Sequence, residues 1–110
     1  MTYEEMKQQL DAYNWDDGFD LPGRIISDEN CDLALALQIF YLGDGFTYFQ
    51  TYAHNIGGNK EWFCFIDYLY QEIKNGNYQK TGHHYRIPLS RVQRYQLAKN
   101  NIPDIFLTDI

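Results

Sequence analysis

Asp16, Asp17 and Asp20 crowd a loop turned by Gly18, and carboxylates clustered this way are what a hard cation such as calcium seeks. An EF-hand loop needs alternating ligand positions and a closing glutamate, and neither is present. The same residues suit turn and capping chemistry, with Trp15 and Phe19 pinning the loop to a core. No metal and no cofactor is therefore expected, and the loop is read as a turn with an outward acidic side.

The nucleophile and base candidates lead no further. Cys31 stands near a helix start, which lowers a thiol pKa, but adjacent Asp32 opposes the thiolate, so Cys31 with His54 as its base is a weak pair. His83 and His84 point apart in an extended chain, and no Cys or carboxylate stands near the histidines at a metal-ligand spacing. All three are read as surface residues. Ser90 is a helix cap without the glycine-flanked elbow of a hydrolase nucleophile. Gly43-x-Gly45 and Gly57-Gly58 lack the lysine or the strand-turn-helix context that cradles a phosphate. With no catalytic constellation, the chain is read as non-enzymatic.

Helices must position whatever chemistry there is. Thr2-Tyr3-Glu4-Glu5 fits a capping box, with Met1 and Met6 placed for a hydrophobic staple, and Tyr3, Met6, Leu10 and Tyr13 recur at threes and fours; a first helix is expected over residues 3–13. The segment 14–18 breaks it, and Pro22 opens a short helix over 22–27 with Ile25 and Ile26 turned inward. Asp28-Glu29-Asn30 stops that helix, and Asn30 is the expected cap of the next, over 31–42, which is apolar all round and so belongs at the centre. Two glycines at 43 and 45 offer the left-handed geometry of its C-terminus. Residues 46–53 favour a short helix over a strand, and 55–59 form a loop. Residues 60–75 carry the clearest pattern, with Trp62, Phe63, Phe65, Ile66, Leu69, Tyr70 and Ile73 on one face and Gly76 as the stop. An extended stretch over 77–88 leads to a helix over 90–100, opened by the capping box Ser90-Arg91-Val92-Gln93 and closed before Pro103. Ile105, Phe106 and Leu107 are apolar enough to dock back.

At 110 residues the chain suits one domain, 1–110, and its aromatic content of 17% supplies an ample core. The expected class is all-α, a compact bundle of about five to six antiparallel helices, with helical hairpins of the HEAT type as the close variant. Cys31 and Cys64 both fall inside apolar helical patterns and are read as buried free thiols, which implies a reducing compartment. The N-terminus lacks a signal-peptide pattern and no stretch approaches the ~18 apolar residues of a membrane helix, so a cytoplasmic protein without membrane contact is expected.

Charge is divided along the chain. Residues 1–57 hold ten acids against Lys7 and Arg24, a balance of −8; residues 58–110 hold seven bases against five acids, a balance of +2. Lys74, Lys80, Arg86, Arg91, Arg94 and Lys99 follow one another with no acid between them. Interleaved with Tyr78, Tyr85 and Tyr95, they have the composition of a nucleic-acid surface, but the acidic half repels phosphate, and pairing of these bases with the acids of the first half is the simpler use.

The segment Asn14-Trp15-Asp16-Asp17-Gly18, followed by Asn30-Cys31-Asp32-Leu33-Ala34-Leu35-Ala36-Leu37, resembles small bacterial proteins grouped as domain of unknown function 4274. Trp62 to Ile66 and Ile102-Pro103-Asp104-Ile105-Phe106 extend the resemblance. It implies a small intracellular helical domain with no established chemistry, in a style some bacterial immunity proteins share, and it carries over no catalytic residue.

Together these features point to an acidic, non-enzymatic protein-binding domain, of the type of an immunity inhibitor of a basic toxin. Its partner-binding residues are Trp15, Asp16, Asp17, Asp20, Asp28, Glu29 and Asp44, with the carboxylates steering a basic protein and Trp15 or Phe19 as the anchor. Two other classes make different demands. A small-ligand or enzymatic domain needs a deep pocket gathering Cys31, His54 or several tyrosines. A nucleic-acid adaptor needs Lys80, Arg86, Arg91 and Arg94 on one uncompensated face.

Overall fold

The apolar run after Asp32 has no polar side to offer water, and the protein is built around it. The computed structural model describes residues 1–51 and 60–110. Among the described residues the regular structure is helical throughout: α1 (Tyr3–Asp11), α2 (Asp20–Ile26), α3 (Leu33–Leu42), α4 (Gly45–Thr51), α5 (Lys60–Lys74) and α6 (Arg91–Lys99), with 3-10 turns at Trp15–Asp17 and Asp104–Phe106. The expected all-α bundle is what the chain forms, with a radius of gyration of 13.6 Å, close to the ~13 Å of a folded 100-residue domain.

Leu33, Ala34, Leu35, Ala36, Leu37, Ile39 and Phe40 of α3 are all buried. Helix α5 packs on α3 through Ile66, Leu69, Tyr70 and Ile73, and α4 packs on both. The tail docks as its composition suggests. Phe106 is fully buried, stacked on Tyr70 at 4.9 Å between ring centroids and against Phe40 at 5.2 Å. Tyr85 and Ile110 exchange backbone hydrogen bonds of 2.8 and 3.0 Å, and the Arg94 guanidinium donates to the carbonyls of Ile87, Leu89 and Leu107 and to Asp109 Oδ1. The extended stretch 77–88 is thereby held between α6 and the tail. Buried tyrosines find partners as their hydroxyls require: Tyr41 donates to Phe106 O and Tyr78 to Ile26 O, and burial pushes both phenol pKa values up, keeping them neutral donors.

Several local features differ from the sequence reading, each for a physical reason. Helix α3 starts at Leu33, two residues late, because its cap is Asp32 and not Asn30; Asp32 Oδ1 accepts from Leu35 N at 2.9 Å, while the Asn30 amide donates to Met1 O. Helix α2 begins at Asp20, ahead of Pro22, which costs nothing because the first four helical N–H groups lack intrahelical partners. Between α3 and α4 the left-handed residue is Asp44 (φ 67), not a glycine. Gly45 is needed for packing, since a Cβ there would sit 2.2 Å from the Phe40 ring. The α5 terminus matches expectation: Gly76 (φ 76) donates to Ile73 O and Asn77 N to Glu72 O, the paired bonds of a Schellman stop. Of the two free thiols only Cys31 is buried; Cys64 is exposed, because it lies two residues from Ile66 and therefore about 200° around the helix from the core-facing row.

Candidate functional site

The acidic loop and the end of α3 meet in a pocket. Asn14 breaks α1 and caps the 3-10 turn, accepting from Asp16 N at 3.0 Å, and Gly18 (φ 95) reverses the chain so that Trp15 and Phe19 lie on the same side. Their rings meet edge-on at 6.4 Å, and Phe19 stacks on Phe65 of α5 at 4.9 Å. From α5, Trp62 reaches over and donates its indole N–H to Gly43 O at 2.7 Å. Trp15, Phe19, Leu42, Gly43, Asp44 and Trp62, with Thr47 below, enclose about 340 Å³. Trp15 and Phe19 are half-buried, which leaves each with a face toward the opening.

The carboxylates expected to bind a partner divide between two places. Asp16, Asp17, Asp20 and Asp44 are exposed, and none of them makes an ion pair among the described residues. Asp44 lines the aromatic pocket, its Oδ1 held by the Thr47 hydroxyl at 2.7 Å, while Asp16, Asp17 and Asp20 flank Trp15 and Phe19 in the chain. Asp28 is spent locally: its carboxylate takes the N-terminal amine at 2.9 Å, which holds its pKa below the usual range. Glu29 lines a different cavity.

The expected pairing of the basic run with the acids of the first half is not what forms. Among the described residues Arg94 is the only lysine or arginine of the run in an ion pair, and its partner Asp109 belongs to the same half; the one carboxylate–base pair that joins the halves there is Asp32 with His83. Of these bases Lys74 ends α5, Lys80 and Arg86 lie on the extended stretch, and Arg91, Arg94 and Lys99 lie on α6, which the tail joins. Arg94 is held in that clamp by the carbonyls of Ile87, Leu89 and Leu107 and by Asp109.

The second cavity, about 570 Å³, is bordered by Tyr3, Glu29, Cys31, Asp32, Thr81 and His83 among others. Asp32 is 2% exposed, and besides capping α3 its Oδ2 accepts from the Thr81 hydroxyl at 2.6 Å and bonds His83 Nδ1 at 2.7 Å. The His83 ring lies flat on Tyr3, centroids 3.5 Å apart. His83 is at the surface, as its sequence context suggests, but is bonded to Asp32 and stacked on Tyr3 there. A carboxylate-oriented imidazole is the arrangement of a general base or a metal ligand, and the described residues around it supply no third metal ligand. Burial, with Asp32 and Asp28 adding to it, pushes the Cys31 thiol up to about 12, so it stays protonated. Among the described residues no group of three His, Cys, Asp or Glu can hold a metal. His54, the other base considered, lies outside the described residues. What the cluster does is tie α1, the α3 cap and residues 79–83 together, with Leu33 N donating to Gln79 O as a further stitch.

A family model described as domain of unknown function (DUF4274) matches residues 4–74. The chain belongs to the DUF4274 family. Comparisons with curated proteins and with solved structures return no match. The DUF4274 segment contains every residue of the aromatic pocket and the Asp32 cap, but stops short of Thr81 and His83, the partners that Asp32 gathers. No helix of this DUF4274 protein, among the described residues, is long and apolar enough to cross a membrane.

The acidic and aromatic loop is plain in the sequence, but three participants are not: Trp62, Asp32 and His83. Its spacing puts Trp62 on the core face of α5, and its role as a pocket wall comes from the carbonyl that its indole N–H seeks at Gly43. Asp32 carried a readable signal, being the last polar residue before an unbroken apolar run, which is where a side-chain cap belongs. His83 carried none.

Proposed function

We propose that this DUF4274 protein is a non-enzymatic binding domain that takes a basic protein on the face formed by Trp15, Phe19 and the carboxylates Asp16, Asp17, Asp20 and Asp44. The observation that supports this reading is the aromatic pocket with an anionic edge: half-buried tryptophan and phenylalanine rings beside exposed carboxylates that no base of the described chain neutralises. Aromatic anchors supply contact area at low entropic cost, and unpaired charge around them accelerates encounter with a partner of opposite sign. The immunity-type form of this reading makes the partner a basic toxin such as a nuclease, held by surface complementarity and without chemistry. An exposed free thiol at Cys64 suits a reducing, cytoplasmic setting.

Parallel capture from a lysate of the source organism, with the wild-type chain and an Asp16→Asn/Asp17→Asn/Asp20→Asn variant, tests the reading. A basic protein retained by the wild type, released by added salt and lost from the variant is the expected outcome. The same retained set on both columns, or retention of acidic proteins only, overturns it.

A further inference from the structure

Among the described residues the Trp15 pocket has three aromatic walls, Trp15, Phe19 and Trp62, its one ionisable lining residue is the carboxylate of Asp44, and no lysine or arginine lines it. Aromatic faces carry negative charge density at their centres, and a cation held over them beside a carboxylate gains from both. Geometry reinforces the selection. The Trp62 indole N–H is already bonded to Gly43 O, so that indole offers the pocket its π-system and not a donor, and the Trp15–Phe19 edge-on pair sets two ring planes at 69°. The Thr47 hydroxyl fixes the Asp44 carboxylate at the rim, and the left-handed backbone of Asp44 holds that turn in place. At about 340 Å³ the space lies at the small end of ligand pockets, enough for one side chain and too small for a large cofactor.

We propose that this pocket is a receptor for an organic ammonium group, and that the partner occupies it with a lysine side chain. The assignment rests on the protein-binding reading for the identity of the guest, while the pocket's own preference for an alkylammonium head is a property of the isolated chain. The charge complementarity is specific to this cavity. The larger one beside His83 is walled mainly by polar groups and has a single Tyr3 ring, already covered by His83.

The chain contains two tryptophans, and both line the pocket, so the two indole N–H signals of a nitrogen-labelled sample report on it directly. The full-length protein is titrated with n-butylammonium chloride, the lysine side-chain analogue, and in parallel with 1-butanol, which has the same chain and a neutral head; ionic strength is matched with sodium chloride. The expected result is a saturable shift of both indole signals by butylammonium, with affinity about 2- to 30-fold above that for butanol, the range a cation held on aromatic faces gains. Asp44→Asn, which keeps an acceptor for Thr47 and tolerates the positive φ, should weaken butylammonium and leave butanol unchanged. Equal or tighter binding of butanol, or no saturable shift with either probe, overturns the proposal. A butylammonium preference in a chain that retains no basic protein upholds the pocket chemistry and removes the partner reading. Retention of a basic protein without any cation preference overturns this inference and leaves the partner reading standing.

Discussion

Replacing Asp32 by alanine removes a helix cap and two tertiary hydrogen bonds in one step, and its cost can be assembled from the partners that remain. Leu35 N loses its acceptor in a fully buried position, a capping loss of about 1 kcal/mol. Thr81 and His83 each lose a bond to a charged acceptor, worth ~1.5–3 kcal/mol when enclosed. Both donors reach solvent, with the His83 side chain 39% exposed, so water recovers part of that and about 1 kcal/mol apiece is the better figure. The sum, about 3 kcal/mol, is a large share of the ~5–15 kcal/mol that holds a domain folded. His83→Ala should cost only about 1–2 kcal/mol, because Asp32 keeps its other partners and the loss is one bond plus the ring stacked on Tyr3. Urea unfolding with unchanged m-values gives the comparison. The double variant provides the sharper test: if His83 acts through Asp32, the pair costs less than the sum of the singles. Strict additivity, or an Asp32→Ala loss no larger than that of His83→Ala, would refute the view that Asp32 is the joint between α1, α3 and residues 79–83.

Two further outcomes follow from local geometry. Gly45→Ala puts a methyl group 2.2 Å from the fully buried Phe40 ring and should cost about 1–3 kcal/mol or more, whereas Gly23→Ala in α2 meets nothing within 4 Å and should gain about 0.5–1 kcal/mol; thermal melts showing the two alike would contradict the assigned packing. At the C-terminal clamp, the hydrogen bond from Ile87 N, and then Arg94, holds the Asp109 pKa below the ordinary carboxylate value. A depressed folded-state pKa contributes stability that is present above about pH 4 and is lost as pH falls through the lowered value. Asp109→Asn should therefore flatten the acid limb of the stability–pH curve while leaving the neutral-to-alkaline limb in place, and an acid limb of unchanged steepness tells against the clamp.

The parts of the fold legible in the sequence are those set by short-range pattern. An apolar run with no polar side can only be central, and α3 is; a broad apolar face at helical spacing needs a partner, and α5 packs on α3 with its Schellman stop at Gly76. The choice of cap was not legible, because sequence spacing says nothing about what lies across a gap. Asn30 and Asp32 are both good caps, and the choice fell to Asp32 because a buried carboxylate there is satisfied by Thr81 and His83 from a segment 51 residues away. Cys64 sits among apolar neighbours in sequence and yet faces out, because the core contacts only one side of α5.

The same reasoning explains why the acidic, aromatic loop is legible in the sequence while the pocket is not. Acidic residues interrupted by Trp15, Gly18 and Phe19 conflict locally: the charges need water, and the rings need cover. A loop that satisfies both keeps its carboxylates outside and sets its aromatics against the body. Whether the rings are then sealed or left half-open depends on what the body offers. Here it offers Gly43, where a Cβ would come within 3.1 Å of Ile66 and 3.2 Å of the Ile39 carbonyl, and Trp62, which leans over that glycine to satisfy its indole N–H. A small residue and a large aromatic from two different helices thus shape the wall that the loop's rings complete. An aromatic cavity next to unpaired carboxylates is therefore a tertiary product of four separate segments, and only Trp15, Phe19 and the aspartates 16, 17 and 20 beside them are written close together in the chain.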